Sequence, residues 1–280
     1  MTSDLISIYK KAFTLTKENI MIAQPLIIYL LVISITSGAL YLQTNKTAFV
    51  IFLISNFFLS TAFFAGWFKV VKKTVEVSRV NYEKEEDKNA ASMDTIKEFF
   101  PGVSEYFISV SAAFIIYFAI GVFIVFLGYK LGTAYLPSPD LNFNKLMAVS
   151  AQSPAEMQKF VMSLSMTQLK AINIWVMYIA GLSLLFNFIT LFIFPALYNI
   201  EKKTFFTPFI ALWKNITFIF RNFFGAAAVL IFLACLNILV SMVNAVFSIN
   251  IILTIIAYII AFYYLTYCVV LVFLYYEEKK

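Results

Sequence analysis

The chain alternates long apolar runs with short polar links. Apolar runs of about twenty residues or more occupy 21–42, 48–70, 106–129 and 171–198, and no charged residue occurs from 223 to 276. A helix rises 1.5 Å per residue, so about 20 residues cross a bilayer and the last run holds two passes. Ser248-Ile249-Asn250 is the turn between them. The pattern predicts an all-α polytopic membrane protein with six transmembrane helices in a single transmembrane domain.

A second pattern sits in front of some of these runs. In 207–223 the cations Lys214 and Arg221 lie seven residues apart, so at 3.6 residues per turn they share a face, which Asn215 and Asn222 extend. Phe209, Leu212, Trp213, Ile216, Ile219, Phe220 and Phe223 fill the remainder. This is the signature of an amphipathic helix lying in the membrane interface, with rings in the acyl boundary and charges at the headgroups. The N-terminal segment repeats it. Lys10 and Lys17 have the same spacing, and Leu5, Ile8, Tyr9, Ala12, Leu15 and Thr16 lie largely opposite. Pairing Tyr9-Lys10 with Trp213-Lys214 brings both segments into their apolar runs at one offset, and Ile96-Lys97 begins a third copy, in which Pro101 intervenes and Glu105 replaces a cation. The paired runs end alike in FKVVKKT, ALYNIEKKT and LYYEEKK. The expected organisation is three units, about 5–73, 93–203 and 205–280, each an amphipathic helix followed by a helical hairpin. A polar linker at 74–92 and an insert at 135–170 punctuate them. In the insert Ser153 and Glu156 form an S-x-x-E capping box around Pro154, which opens a short amphipathic helix.

Composition agrees. Of 280 residues, 62% are hydrophobic and 13% charged, too apolar for a soluble domain. The net charge of +6 comes from Lys and Arg at the ends of the spans, not from a nucleic-acid patch, and the sequence carries no histidine. Sixteen of the 21 cations fall on one side of the predicted topology, which puts both termini in the cytoplasm and the 135–170 insert outside. Cys235 and Cys268 are far apart inside apolar runs and lack metal-ligand spacing, and no GxSxG motif occurs. No catalytic residue, metal site or cofactor is predicted.

The centres of the spans hold no Asp, Glu, Lys or Arg, which argues against coupled ion transport through carboxylates. Neutral polar residues remain. Asn237, Ser241, Asn244 and Ser248 form one helical stripe, with Asn187 and Asn56 in other spans. An unsatisfied amide in hydrocarbon is costly, so the stripe is expected to face the bundle interior as interhelical glue or as the lining of a solute path. Lys10, Lys17, Trp213, Lys214 and Arg221 are the expected interfacial anchors.

Three stretches carry a resemblance: FIFPALYNIEKK, ALWKNITFIFRNF and a closing hairpin that ends in LYYEE. In these the chain resembles a group of bacterial six-span membrane proteins that includes the membrane domain fused to some glycerophosphoryl diester phosphodiesterases. The resemblance implies an inner-membrane location and supplies no catalytic residues, since the phosphodiesterase domain has no counterpart in this sequence. The function expected is non-enzymatic: organising or moving lipid or envelope components, with membrane lipid, a protein partner or a second copy of the chain as its contacts. The alternative is a small-solute permease or transporter subunit lined by the neutral polar residues.

Overall fold

The computed structural model describes residues 2–41, 46–80, 82, 85–139, 154–201, 203–247 and 250–280. These residues form helices and no strand. In chain order the helices are α1 (Thr2–Glu18), α2 (Ala23–Tyr41), α3 (Lys46–Val77), α4 (Glu85–Asp94), α5 (Phe99–Tyr135), α6 (Pro154–Met162), α7 (Met166–Thr190), α8 (Ile193–Tyr198), α9 (Thr207–Arg221), α10 (Phe223–Phe247) and α11 (Ile251–Lys279). Short 3₁₀ turns at Ile20–Ile22 and Thr95–Glu98 precede α2 and α5. Six helical stretches are long and apolar enough to cross a membrane: Ile20–Gly38, Lys46–Val77, Ala90–Tyr135, Met166–Tyr198, Phe223–Phe247 and Ile252–Lys279. Ser153, Ser248 and Ile249, named above for the capping box and the last turn, lie outside the described residues.

Two compact units result, Met1–Tyr117 with Phe188–Lys280, and Phe118–Asn187. In the smaller unit, α7 lies close against the α5 backbone. Tyr178 Oη donates to the Gly128 carbonyl at 2.9 Å, and Trp175 Nε1 to the Pro137 carbonyl at 3.0 Å. A side chain at Gly132 would come within 2.6 Å of the Trp175 ring, so the small residue is what lets the helices meet, as is usual between membrane helices.

In the larger unit three segments bury side chains at matching positions. In α1 the buried positions are Leu5, Ile8, Ala12, Leu15 and Thr16, followed by buried Asn19. In α9 they are Pro208, Ala211, Asn215, Phe218 and Ile219, followed by Asn222. At the start of α5 they are Gly102, Tyr106, Ser109 and Val110, followed by Ala113. Thr207 of α9 and Ala112 of α5 are buried as well, and the α5 set lacks a counterpart of Leu5, but the other positions share one spacing, which superposes Ala12, Tyr106 and Asn215. The pairing of Tyr9-Lys10 with Trp213-Lys214 expected from the charges is therefore one residue out: Lys11 corresponds to Lys214, and Lys10 to Trp213. The third copy is also displaced, because Glu105 takes the place of Lys11 while Ile96 and Lys97 lie in the 3₁₀ turn. Register follows the buried face, whose shape is fixed by packing, whereas a surface cation is free to move around the helix rim.

The copies dock alike. The opening turns of α5 lie on α3, where Cβ atoms at Gly66 and Gly102 would come within 2.7 Å of the Phe99 carbonyl and 2.6 Å of Lys69 Cβ. The helix α9 lies along α8, and α1 lies along α11. Each amphipathic helix thus packs on the second member of the preceding hairpin, and the first closes the cycle by packing on the last. At the centre Phe68, Tyr198 and Phe273, one from each second member, meet as a triangle of rings with centroids 5.8–6.1 Å apart. The edge-to-face and tilted arrangements are the favourable ones for aromatic pairs.

The apolar face expected for α1 is thus covered by protein at Leu5, Ile8, Ala12 and Leu15, whereas of the face expected for α9 only Ile219 is buried, and Phe209, Trp213, Phe220 and Phe223 stay exposed. Tyr9 stacks on Phe232 with centroids 4.3 Å apart, and burial raises its hydroxyl pKa above the usual tyrosine value. Phe13 packs edge-on to Tyr263. The large apolar side chains left exposed are Ile6 and Phe13 on α1, and Phe209, Ile210, Trp213 and Phe220 on α9.

Breaks between elements are closed by side chains from elsewhere. Pro195 has no N–H, and its ring crowds the carbonyl four residues back, so the fourth span is interrupted between α7 and α8. Asn215, fully buried, fills the interruption. Its Oδ1 accepts from the Phe192 N–H at 3.0 Å, and its Nδ2 donates to the Ile189 carbonyl at 2.5 Å. Trp67, also buried, donates from Nε1 to the Ile22 carbonyl at 2.9 Å, where the chain turns between α1 and α2. Asn19 and Asn222 end their helices alike, each amide donating to the carbonyl four residues earlier. The second copy has Ala113 at that position, and α5 runs on unbroken for 37 residues.

Candidate functional site

Two features of the larger unit are built from side chains that could act on another molecule. The first is an apolar groove of about 540 Å³ bounded by α2, α3 and the start of α5. Ile28, Tyr29, Leu59, Phe63, Phe100 and Val103 form most of its walls. Gln24 is the one amide among the lining residues, and the Tyr29 hydroxyl is already paired with Ser60 Oγ at 2.8 Å. Tyr29 also stacks flat on Phe63, with centroids 4.1 Å apart. Such a surface offers dispersion and the hydrophobic effect to a chain of methylenes and little to a polar solute.

The repeat gives the groove a counterpart in the third hairpin. Superposing Ala12 on Tyr106 puts Tyr9 in register with Val103, and superposing Asn19 on Asn222 puts Tyr29 in register with Phe232. In the third hairpin Tyr9 covers Phe232 with its ring. In the first hairpin the corresponding residue is Val103, which lines the groove together with Tyr29 and carries no ring.

The second feature is a polar cluster at the end of the bundle that carries both termini. Glu277 is 6% exposed. Its carboxylate lies 3.2 Å from Arg79 and 2.6 Å from Lys280, and it accepts from Asn199 Nδ2 at 2.5 Å. Arg79 Nη2 also donates to the Glu277 carbonyl at 2.9 Å. Beside it, Lys72 Nζ donates to the Tyr198 carbonyl at 2.7 Å, at the C-terminal end of α8, where a cation suits the helix dipole. Tyr106 stacks on Tyr198 at 4.0 Å, and Lys203 stands over the Tyr106 ring at 4.6 Å. Burial pushes the Lys203 ammonium below the usual lysine value, Glu105 opposes this, and Lys72 and Lys69 reinforce it. Every one of these charges has a partner, so the cluster reads as a clasp between helices. No group of three or more metal-ligating side chains occurs among the described residues.

The neutral stripe does not assemble as expected. Asn237 and Ser241 are exposed, Asn244 and Asn56 are half-buried, and Ser248 lies outside the described residues. Beyond Leu236, α10 exposes Ile238, Leu239, Met242 and Val246, while Val240, Val243 and Phe247 are half-buried. This part of α10 has α11 packed on one side, so Asn237 and Ser241 face outward while Asn244 is half-buried. The Asn244 Oδ1 atom is buried and has no hydrogen-bond partner. Asn187 is exposed and satisfies its own amide by donating to the Ser183 carbonyl at 2.8 Å. Lys10, Lys17, Trp213, Lys214 and Arg221, the expected anchors, are all exposed.

Sequence reasoning missed the groove, the Glu277 clasp and the role of Asn215. For Asn215 a signal existed: it falls on the i, i+4, i+7 row of Ala211 and Phe218, not on the row of Lys214 and Arg221. The geometry defines a class, a polytopic helical membrane protein with an apolar groove. No protein-family model, curated protein or solved structure matches the chain.

Proposed function

We propose that this chain is a non-enzymatic membrane protein that organises or moves lipid or envelope components by seating an acyl chain in the groove beside Val103. It would do so in a bacterial inner membrane with both termini cytoplasmic, together with a protein partner or a second copy of itself. The observation that carries the reading is the groove: about 540 Å³, apolar walls, and a place in the repeat where another copy is filled by Tyr9. The outward-facing Asn237 and Ser241 give the permease alternative no lined path among the described residues.

The test uses the full chain in nanodiscs with a phosphatidylcholine bearing a diazirine on one acyl chain. Adducts should concentrate on Ile28, Leu59, Phe100 and Val103, compared with Ile259, an exposed control on α11. Val103→Trp should remove the excess at the other three. Equal labelling of groove and control would reject the reading.

A further inference from the structure

Near the end of α9 lies a groove of another kind. Trp213, Lys214, Thr217, Arg221, Lys279 and Lys280 are among the residues that line a cavity of about 300 Å³. A second hollow of about 170 Å³ shares Arg221, Asn222 and Lys279 and continues onto Leu5, Phe223, Phe224 and Tyr275. Four cations therefore face one depression, and the hollow it adjoins carries Leu5, Phe223 and Phe224 beside Arg221 and Lys279. Two of them are already engaged: Lys280 with Glu277 at 2.6 Å, and Lys279 with Asp4 at 3.7 Å. Lys214 and Arg221 have no carboxylate in ion-pair reach among the described residues, so the groove retains about two uncompensated positive charges.

The surroundings fix the depth at which those charges work. Trp213, on the rim, is 71% exposed, and Phe220 and Phe224 beside the groove are 77% and 73% exposed. Large exposed rings beside Lys and Arg place a segment at the boundary between headgroups and acyl chains. At that depth the anion available to two forked or pivoting cations is a lipid phosphate. Arg221 can grip it with two parallel N–H donors, while Lys214 contributes a point charge.

We propose that this basic groove is a binding site for the phosphate of an anionic phospholipid, with the Leu5, Phe223 and Phe224 hollow receiving the first part of an acyl chain. The proposal rests on the reading of the protein as lipid-engaging, but on different residues. The acyl groove beside Val103 holds a chain irrespective of headgroup, whereas this site selects by charge.

The experiment is native mass spectrometry of the full chain, offered phosphatidylglycerol and phosphatidylcholine with identical acyl chains. Wild type should retain phosphatidylglycerol preferentially. Lys214→Gln with Arg221→Gln should lower that retention roughly thirtyfold, from about 1 kcal/mol per cation near a charged surface. Lys97→Gln, a control at an exposed lysine of the second copy, should leave it unchanged. Arg221→Lys keeps the charge and should fall between the two, and wild-type retention should decline with added salt, which gives a readout even if the double variant folds poorly. Excess inorganic phosphate should not displace the lipid. Equal retention of the two lipids by wild type, an unaltered double variant, or full displacement by inorganic phosphate would each overturn the proposal, the last by showing a site for soluble phosphate. Diazirine labelling at Ile28 and Leu59 in the double variant separates the two readings. If labelling persists while anionic selectivity is lost, both sites stand, and if the groove labelling fails while selectivity survives, only this one does.

Discussion

The helices α1 and α9 occupy equivalent places and bury the same row of positions, yet they hold the bundle by different means. At the centre of that row α1 has Ala12, fully buried, whose small side chain lets the helix approach α11 closely. The helix α9 has Asn215, whose amide replaces main-chain hydrogen bonds that Pro195 interrupts. One helix is fixed by shape and the other by polar pairing. A common backbone arrangement evidently leaves the chemistry at each position free, and that freedom produces both a plugged span in one copy and an open groove in another.

The comparison is tested most severely at Asn215. Asn215→Leu leaves the Ile189 carbonyl and the Phe192 N–H buried without partners, at about 1–3 kcal/mol for each, so a loss of about 4 kcal/mol is expected. Unfolding of the purified protein in detergent by denaturant titration would measure it, and a loss under about 1 kcal/mol would show that the amide is dispensable. Ala12→Leu should cost less, about 2 kcal/mol, because it overpacks a contact and orphans no polar group. If the two variants were equally damaging, the distinction between shape and polar pairing would collapse.

A smaller effect is expected where the copies differ at Tyr9 and Val103. Tyr9→Val forfeits the stack on Phe232, an aromatic pair worth about 1 kcal/mol. It should also make the third hairpin accept the diazirine lipid as the first does. The reciprocal Val103→Tyr should change stability by less than about 1 kcal/mol and reduce labelling at Tyr29. Failure of the two variants to exchange behaviour would dissolve the equivalence of the two grooves. The weakest link is the Lys11 pair with Glu278, 2.8 Å long and open to solvent on both sides. Lys11→Gln should cost no more than about 0.5 kcal/mol, and that cost should vanish in high salt, as titrations at two ionic strengths would reveal.

How much of this was legible in the sequence differs by level. Six spans and three amphipathic segments follow from hydropathy and period, because lipid forces apolar length and an interface forces a stripe. The second copy was the hardest to place: its buried row begins at Gly102, and glycine carries no hydrophobic signal. Asn215 was assigned to the wrong face because an amide beside Lys214 looks solvated, and only the Pro195 interruption, 20 positions earlier, supplies its partner. For Asn237 and Ser241 the inference from cost to burial failed for a different reason. A polar side chain on a helix can turn to its own backbone, as Asn187 does with Ser183, so a stripe of such residues need not seek a core. The groove was invisible because Val103 stands out only beside the copy in which the corresponding Tyr9 carries a ring.

The closure of the repeat has a consequence for how the molecule is made. Lys11 meets Glu278 across 267 positions of sequence and Tyr263 reaches the Phe13 carbonyl across 250. At about 5–20 residues per second of synthesis, α1 leaves the ribosome roughly 15 to 50 seconds before α11 exists to receive it. Throughout that interval its apolar row, Leu5, Ile8, Ala12 and Leu15, has only the membrane surface or a chaperone for company. The other two amphipathic helices follow their docking partners out of the ribosome and can settle at once. The seating of α1 therefore waits on the synthesis of α11, the helix it packs against.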